Sequence, residues 1–152
     1  MKIVDGTNHL DAIKALIVEY TQSLQRDLTF QGLAEELACL ERKYAPPAGR
    51  LLAAVTEEGH VAGCVAYHRH TDTRCEMKRL YVQPAYRCEH TGQVLIAAII
   101  EAARQDGYTE MVLDTLCPMQ RAIYLYKQFG FEEIDAYYDN PMKDVLYMRK
   151  VL

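Results

Sequence analysis

The sequence predicts one mixed α/β domain with the element order β-α-α-β-β-β-α-β-α-β-β. Its 152 residues are the size of an ordinary domain and bury a core without a metal or disulfide staple. Apolar runs of strand length alternate with stretches whose apolar residues recur at helical spacing. The stretch CEMKRLYVQPAYRCEHTGQ, residues 75–93, joins the two kinds: an apolar strand, a short polar loop and a helix start follow directly on one another.

Residues 2–4 form a short first strand. Asp5-Gly6-Thr7-Asn8 is a turn in which Thr7 or Asn8 is placed to cap a helix. That helix has one apolar face, made of Ile13, Leu16, Ile17, Tyr20 and Leu24. Residues 25–29 break the pattern. A second helix carries Leu33, Leu37, Leu40 and Tyr44 on one side and Glu35, Glu36 and Glu41 on the others, and Ala45-Pro46-Pro47-Ala48-Gly49 ends it. Strands at 51–55 and 61–67 are joined by a hairpin loop that contains Gly59. Residues 68–74 are a polar connection into the next strand.

That strand, residues 75–82, puts Cys75, Met77 and Tyr81 on one face and Glu76, Lys78, Leu80 and Val82 on the other. Apolar residues on both faces mark a central strand, and Pro84 ends it because it has no N–H for a ladder. The following helix buries Val94, Leu95, Ala98, Ile99 and Ala102 and stops at Gly107. Residues 111–116 are a strand apolar on both faces apart from Asp114. Pro118 sits near a helix start. Ala122, Leu125, Tyr126 and Phe129 share a face of that helix, and Gly130 ends it. The last strands are residues 131–138 and 145–151, around the turn-forming Asp139-Asn140-Pro141.

Composition excludes several classes. The chain is 50% apolar and 25% charged, which is globular rather than disordered. A formal charge of -4 provides no basic face for nucleic acid and favours a cationic or amine substrate. No apolar run approaches the ~20 residues of a membrane span, so no membrane association is expected. The chain opens without a signal peptide. Its 5 cysteines are scattered, with no CxxC pair, so neither a zinc site nor a disulfide framework is expected. Reduced thiols in the cytoplasm are the simplest account, with Cys39 and Cys64 as buried small hydrophobes.

A strand followed by a short loop and a helix start aims unpaired first-turn N–H groups at an anion, and the helix dipole adds positive potential there. A phosphate-bearing ligand is therefore expected at Arg87, Cys88, Glu89, His90, Thr91, Gly92 and Gln93. This stretch resembles the acyl-CoA-binding core of the GNAT superfamily of N-acetyltransferases. The family pattern is Q/R-x-x-G-x-G/A, in which Arg87 matches the first position and Gly92 the last. His90 stands where the middle glycine would be, and Glu89 puts negative charge where a basic residue is more usual. The upstream run MKRLYVQPAYR is closer to the family still.

The resemblance implies a GNAT-type fold: a central mixed sheet flanked by helices, in which a parallel pair of strands splays open to admit the pantetheine arm. The pair here would be residues 75–82 and 111–116. It also implies acetyl-CoA as co-substrate, no metal, and a primary amine as acceptor. The acceptor is expected to be a small molecule, since no peptide-docking surface is evident. A homodimer is left open. The rival expectation is a non-catalytic GNAT-like module that senses CoA or takes part in an assembly, with a weakened CoA site.

Acetylation of an amine by a thioester needs a neutral amine, a polarised carbonyl and a proton for the departing thiolate. Glu76 lies on a strand otherwise made for burial, and in the family a glutamate at this place often serves as base, directly or through water. The other reading pairs it with Lys78 or Arg79. In the run AIYLYKQFGF, Tyr126 matches the family tyrosine that lies by the CoA sulfur and protonates it. The other reading is a core tyrosine beside Leu125 and Phe129. The resemblance assigns the backbone amides of Leu80, Tyr81 and Val82 to the pantetheine and the thioester carbonyl. It builds the acceptor pocket partly from Tyr137 and Tyr138 as walls and Asp139 as the ammonium partner, although Asp-Asn-Pro is turn chemistry by itself. Cys88 is read as a solvent-facing loop thiol. His68 and His70 are read as part of a solvated connection rather than a metal site.

Overall fold

In the computed structural model, residues 1–26 and 32–152 are described, and the rest of the break expected at 25–29 lies outside them. Strands β1 (Lys2–Asp5), β2 (Arg50–Val55), β3 (Val61–Arg69), β4 (Arg74–Val82), β5 (Glu110–Leu116), β6 (Glu132–Ile134) and β7 (Val145–Val151) form one sheet. Its order is β1-β2-β3-β4-β5-β7-β6. Helices α1 (Leu10–Leu24), α2 (Leu33–Ala38), α3 (Leu40–Lys43), α4 (Thr91–Gln105) and α5 (Gln120–Gln128) connect the strands. The sheet is mixed: β4 and β5 run parallel, and the other neighbours are antiparallel.

Both faces of the sheet are covered. Leu95, Ile96, Ile99 and Ile100 of α4 pack with Val65, Tyr67, Cys75, Met77, Met111 and Leu113 on one side. Ile13, Leu16 and Ile17 of α1 pack with Leu40, Tyr44, Leu51, Ala53 and Cys64 on the other. Within α4 the buried stripe includes Ile96 and Ile100, while Val94, expected inside, is 43% exposed.

Local departures from the sequence expectations have local causes. Asp5, rather than Thr7 or Asn8, supplies the cap before α1: its carboxylate accepts from the Thr7 N–H at 2.9 Å and closes a 3-10 turn over Gly6–His9. The second helix is two short ones, because Cys39 leaves helical geometry at φ -136. β3 continues through His68 to Arg69, pairing His68 with Glu76, so His68 belongs to the sheet and not to a connection. β6 stops at Ile134, and Tyr137 and Tyr138 lie in the loop that follows it.

The departure that shapes the site is in β4. Arg79 adopts φ 62, and the register with β3 shifts between Cys64 and Ala66. One extra residue in a strand reverses the alternation of its side chains. Cys75 and Met77 therefore face the α4 core, whereas Tyr81, expected on their face, joins the α1 core. Arg79, turned into the α1 side, is 7% exposed and is held by Glu36 at 2.8 and 3.1 Å.

Candidate active site

β4 and β5 pair only through Arg74–Glu110, Cys75–Met111 and Glu76–Val112. Beyond that point β4 stays with β3 and β5 stays with β7 as far as Leu116, so the two strands part. From Met77 onward, the backbone groups of β4 that alternate toward β5 have no ladder partner. Cavities follow the gap. An outer cavity of about 540 Å³ is lined by Leu80, Tyr81, Val82, Arg87, Gln93 and Arg121, among others. A throat of about 70 Å³ runs between Met77, Lys78, Arg79, Asp114, Tyr20 and Tyr126. A rear cavity of about 270 Å³ lies against Glu76, His68, Tyr137, Tyr138 and Asp139. Leu80 and Tyr20 line both the outer cavity and the throat, and Lys78 lines both the throat and the rear cavity.

The outer cavity meets the N-terminus of α4. Thr91, Gly92 and Gln93 open that helix, so their N–H groups have no intrahelical carbonyl to bond. Arg87 is positioned by its own strand: its Nε donates to the Val82 carbonyl at 2.9 Å, and its guanidinium lies 5.5 Å from the Tyr81 ring centroid. The Tyr81 hydroxyl in turn donates to Glu19 at 2.6 Å. Arg121, from α5, adds a second cation and reaches the Arg87 carbonyl at 3.3 Å. No local pattern marks Arg121, because its position depends on α5 docking beside the loop.

His90 takes φ 58, the left-handed conformation that the absent glycine would adopt freely. Its ring bonds Gln93 at 2.9 Å. Of the loop residues expected at the anion, Arg87, His90, Gly92 and Gln93 line the cavity. Cys88 and Glu89 are exposed outside that lining, and the Thr91 hydroxyl is turned inward to the Tyr86 carbonyl. The Glu89 charge is thus exposed to solvent and is not part of the cavity lining.

Tyr126 sits in the throat. It is 7% exposed and packs edge-on to Phe131, while Tyr124 on the same helix is 61% exposed. Its hydroxyl has no hydrogen-bond partner among the described residues. Burial above all, with Tyr20 and Asp114 nearby, raises it well above an ordinary phenol.

Glu76 is buried, and both its oxygens are taken. His68 Nε2 lies 2.7 Å from Oε1, and the Tyr137 hydroxyl donates to Oε2 at 2.5 Å. Burial pushes its carboxyl up, but the bond from His68, the charge of Lys78 and the bond from Tyr137 outweigh it and bring the group down to about 2. Each oxygen thus accepts one side-chain bond, and the carboxylate lines the rear cavity rather than the throat. Glu76 thereby anchors His68 and Tyr137 at the edge of the rear cavity.

Asp114 fits the acid–base task better. It lies two residues beyond the last β4–β5 pair, half-buried in the throat wall. Tyr138 donates its hydroxyl to Oδ2, and Oδ1 has no partner among the described residues. A carboxylate in a strand otherwise buried on both faces was the available signal. Tyr137, Tyr138 and Asp139 line the rear cavity, together with His68, His70, Lys43 and Lys78. Among the described residues, no cluster of His, Cys, Asp and Glu is arranged to hold a metal.

A mixed sheet that opens at its parallel pair is the fold of a family of acetyltransferases. A GNAT-family acetyltransferase of Staphylococcus aureus superposes with a TM-score of 0.83 over 99% of this chain and 98% of its own, at 18% identity. Residues 14–131 match the Acetyltransferase (GNAT) family. An uncharacterised N-acetyltransferase of Schizosaccharomyces pombe is 48% identical over 141 residues, 92% of this chain and 86% of that protein. Another, from Dictyostelium discoideum, is 30% identical, covering 98% of this chain and 97% of that protein. The chain belongs to the GNAT family of N-acetyltransferases.

Proposed function

We propose that the protein transfers an acetyl group from acetyl-CoA to the primary amine of a small molecule. The observation that carries this reading is the row of three cavities that share lining residues where the sheet splits. It begins at Arg87 and the α4 N-terminus, passes Tyr126 and Asp114, and ends in a separate cavity walled by tyrosines. Bound acetyl-CoA supplies an activated acetyl group as a thioester. Arg87, Arg121 and the first amides of α4 hold the pyrophosphate. The unpaired edge of β4 around Leu80, Tyr81 and Val82 bonds the pantetheine and polarises the carbonyl.

Asp114 Oδ1 takes the proton from the acceptor ammonium, directly or through water, while Tyr138 holds Oδ2 in place. Tyr126 gives its proton to the departing sulfur. The burial that raises the phenol also raises a thiolate formed in the same throat, so the two stay comparable. The rival reading, a non-catalytic module, rested on Glu89 and His90. Glu89 is exposed outside the cavity lining, where solvent screens it, and His90 adopts the left-handed conformation that a glycine takes freely.

Titration calorimetry with acetyl-CoA tests the reading. Binding in the micromolar range, weakened about tenfold or more by Arg87→Ala, supports it. Absence of binding at millimolar acetyl-CoA removes it.

A further inference from the structure

We infer that the acceptor amine also carries a carboxylate: the site is built for an amino acid, with its ammonium at Asp114 and its carboxylate at Lys78. The inference rests on the acetyltransferase reading and concerns the acceptor alone.

The charges around the throat and rear cavity carry the argument. Glu36 is shared by Arg79 at 2.8 Å and Lys43 at 2.7 Å. Glu76 is occupied by His68 and Tyr137. His68 is itself engaged, with the Glu76 carboxylate at 2.7 Å and the Arg69 carbonyl at 3.0 Å from its two ring nitrogens. Asp139 is exposed at the rim, where water and salt screen it.

Two charges are left over. Lys78 forms no ion pair among the described residues, and it is half-buried between throat and rear cavity. Asp114 keeps one free oxygen in the same throat. A lysine without an ion pair among the described residues and a carboxylate with one free oxygen, both lining a cavity of about 70 Å³, complement a zwitterion whose two charged groups share one carbon. The rest of such a molecule has the rear cavity of about 270 Å³, between His70, Tyr137 and Tyr138.

A polyamine would put a second positive charge against Lys78, with Lys43 and Arg79 close behind. The overall charge of -4 had favoured a cationic substrate; the local field around the throat favours a partner of both signs.

The test uses the purified protein with acetyl-CoA and measures thiol release. The acceptors are the twenty common amino acids, the α-amide of each, spermidine and tyramine. At least one amino acid is expected to exceed its own α-amide tenfold or more in kcat/KM. Lys78→Met is expected to bring that ratio close to one, chiefly through KM. Calorimetry with the preferred amino acid in the presence of CoA provides a readout apart from turnover, and Lys78→Met should weaken that binding in proportion. Amides, spermidine or tyramine used as well as the amino acids would overturn the inference alone. So would firm binding of acetyl-CoA with transfer to none of the twenty. Failure of acetyl-CoA to bind at all overturns the acetyltransferase reading, and the acceptor inference with it.

Discussion

Tyr138, in the loop after β6, donates its hydroxyl to Asp114 Oδ2 where β5 parts from β4. The bond ties the rear cavity to the throat and leaves the other carboxylate oxygen facing the gap. Asp114→Asn retains an acceptor for Tyr138 but cannot take a proton. Turnover is expected to fall about a hundredfold, with acetyl-CoA affinity little changed. Steady-state kinetics with a calorimetric Kd checks it; turnover within about threefold of the parent would give the base role to water or another group.

Tyr126→Phe removes a hydroxyl that has no partner among the described residues and keeps the ring against Phe131. The group is useful only as the thioester breaks, so its loss acts on the transition state. Turnover should fall about a hundredfold while acetyl-CoA affinity and Tm stay near the parent's. A small change in turnover would make Tyr126 a core tyrosine only.

His90→Gly replaces a residue held at φ 58 by the one that occupies this region without strain. The relief, roughly 1 kcal/mol, is partly offset by the greater chain entropy of glycine when unfolded. The variant should keep its Tm within a few degrees and bind acetyl-CoA more tightly, since the ring no longer crowds the outer cavity. His90→Val, with a β-branched side chain at the same φ, should lower Tm. Weaker binding by the glycine variant would give the His90–Gln93 bond a ligand-holding role of its own.

Acid should remove stability through two buried carboxylates. Burial pushes Glu36 up, but the bonds and charges of Arg79 and Lys43 outweigh it, and its carboxyl lies at about 2; Glu76 also lies at about 2. Unfolded, both return to about 4.3. Groups depressed in the folded state add stability that is complete above pH ~4.5 and is lost as pH falls toward ~2, roughly 3 kcal/mol for Glu36 alone. Glu36→Gln leaves Arg79 buried without its counter-charge and should cost about 3–5 kcal/mol at pH 7. Urea unfolding should show the gap between parent and variant narrowing steadily from pH 5 to pH 2. A gap constant over that range would mean that Glu36 acts through packing rather than charge.

The order of the elements and the helix start directly after the loop that follows β4 were legible in the chain itself. Each depends on neighbours a few residues away: the period of apolar side chains, the missing N–H of Pro84, or a helix N-terminus following a strand. What the tertiary structure alone decided depends on partners far along the chain. Arg79 meets Glu36 across 43 residues and sits in the bulge that turns Tyr81 to the opposite face of the sheet. Glu76 meets Tyr137 across 61 residues and His68 across the β3–β4 pair, which ties the three side chains together. Asp114 and Lys78 were visible as residue types, but their roles depend on which charges remain unpaired once the others have met. A carboxylate's pKa and a lysine's freedom are set by burial and neighbouring charge, and those exist only after β4 and β5 have come together and then parted.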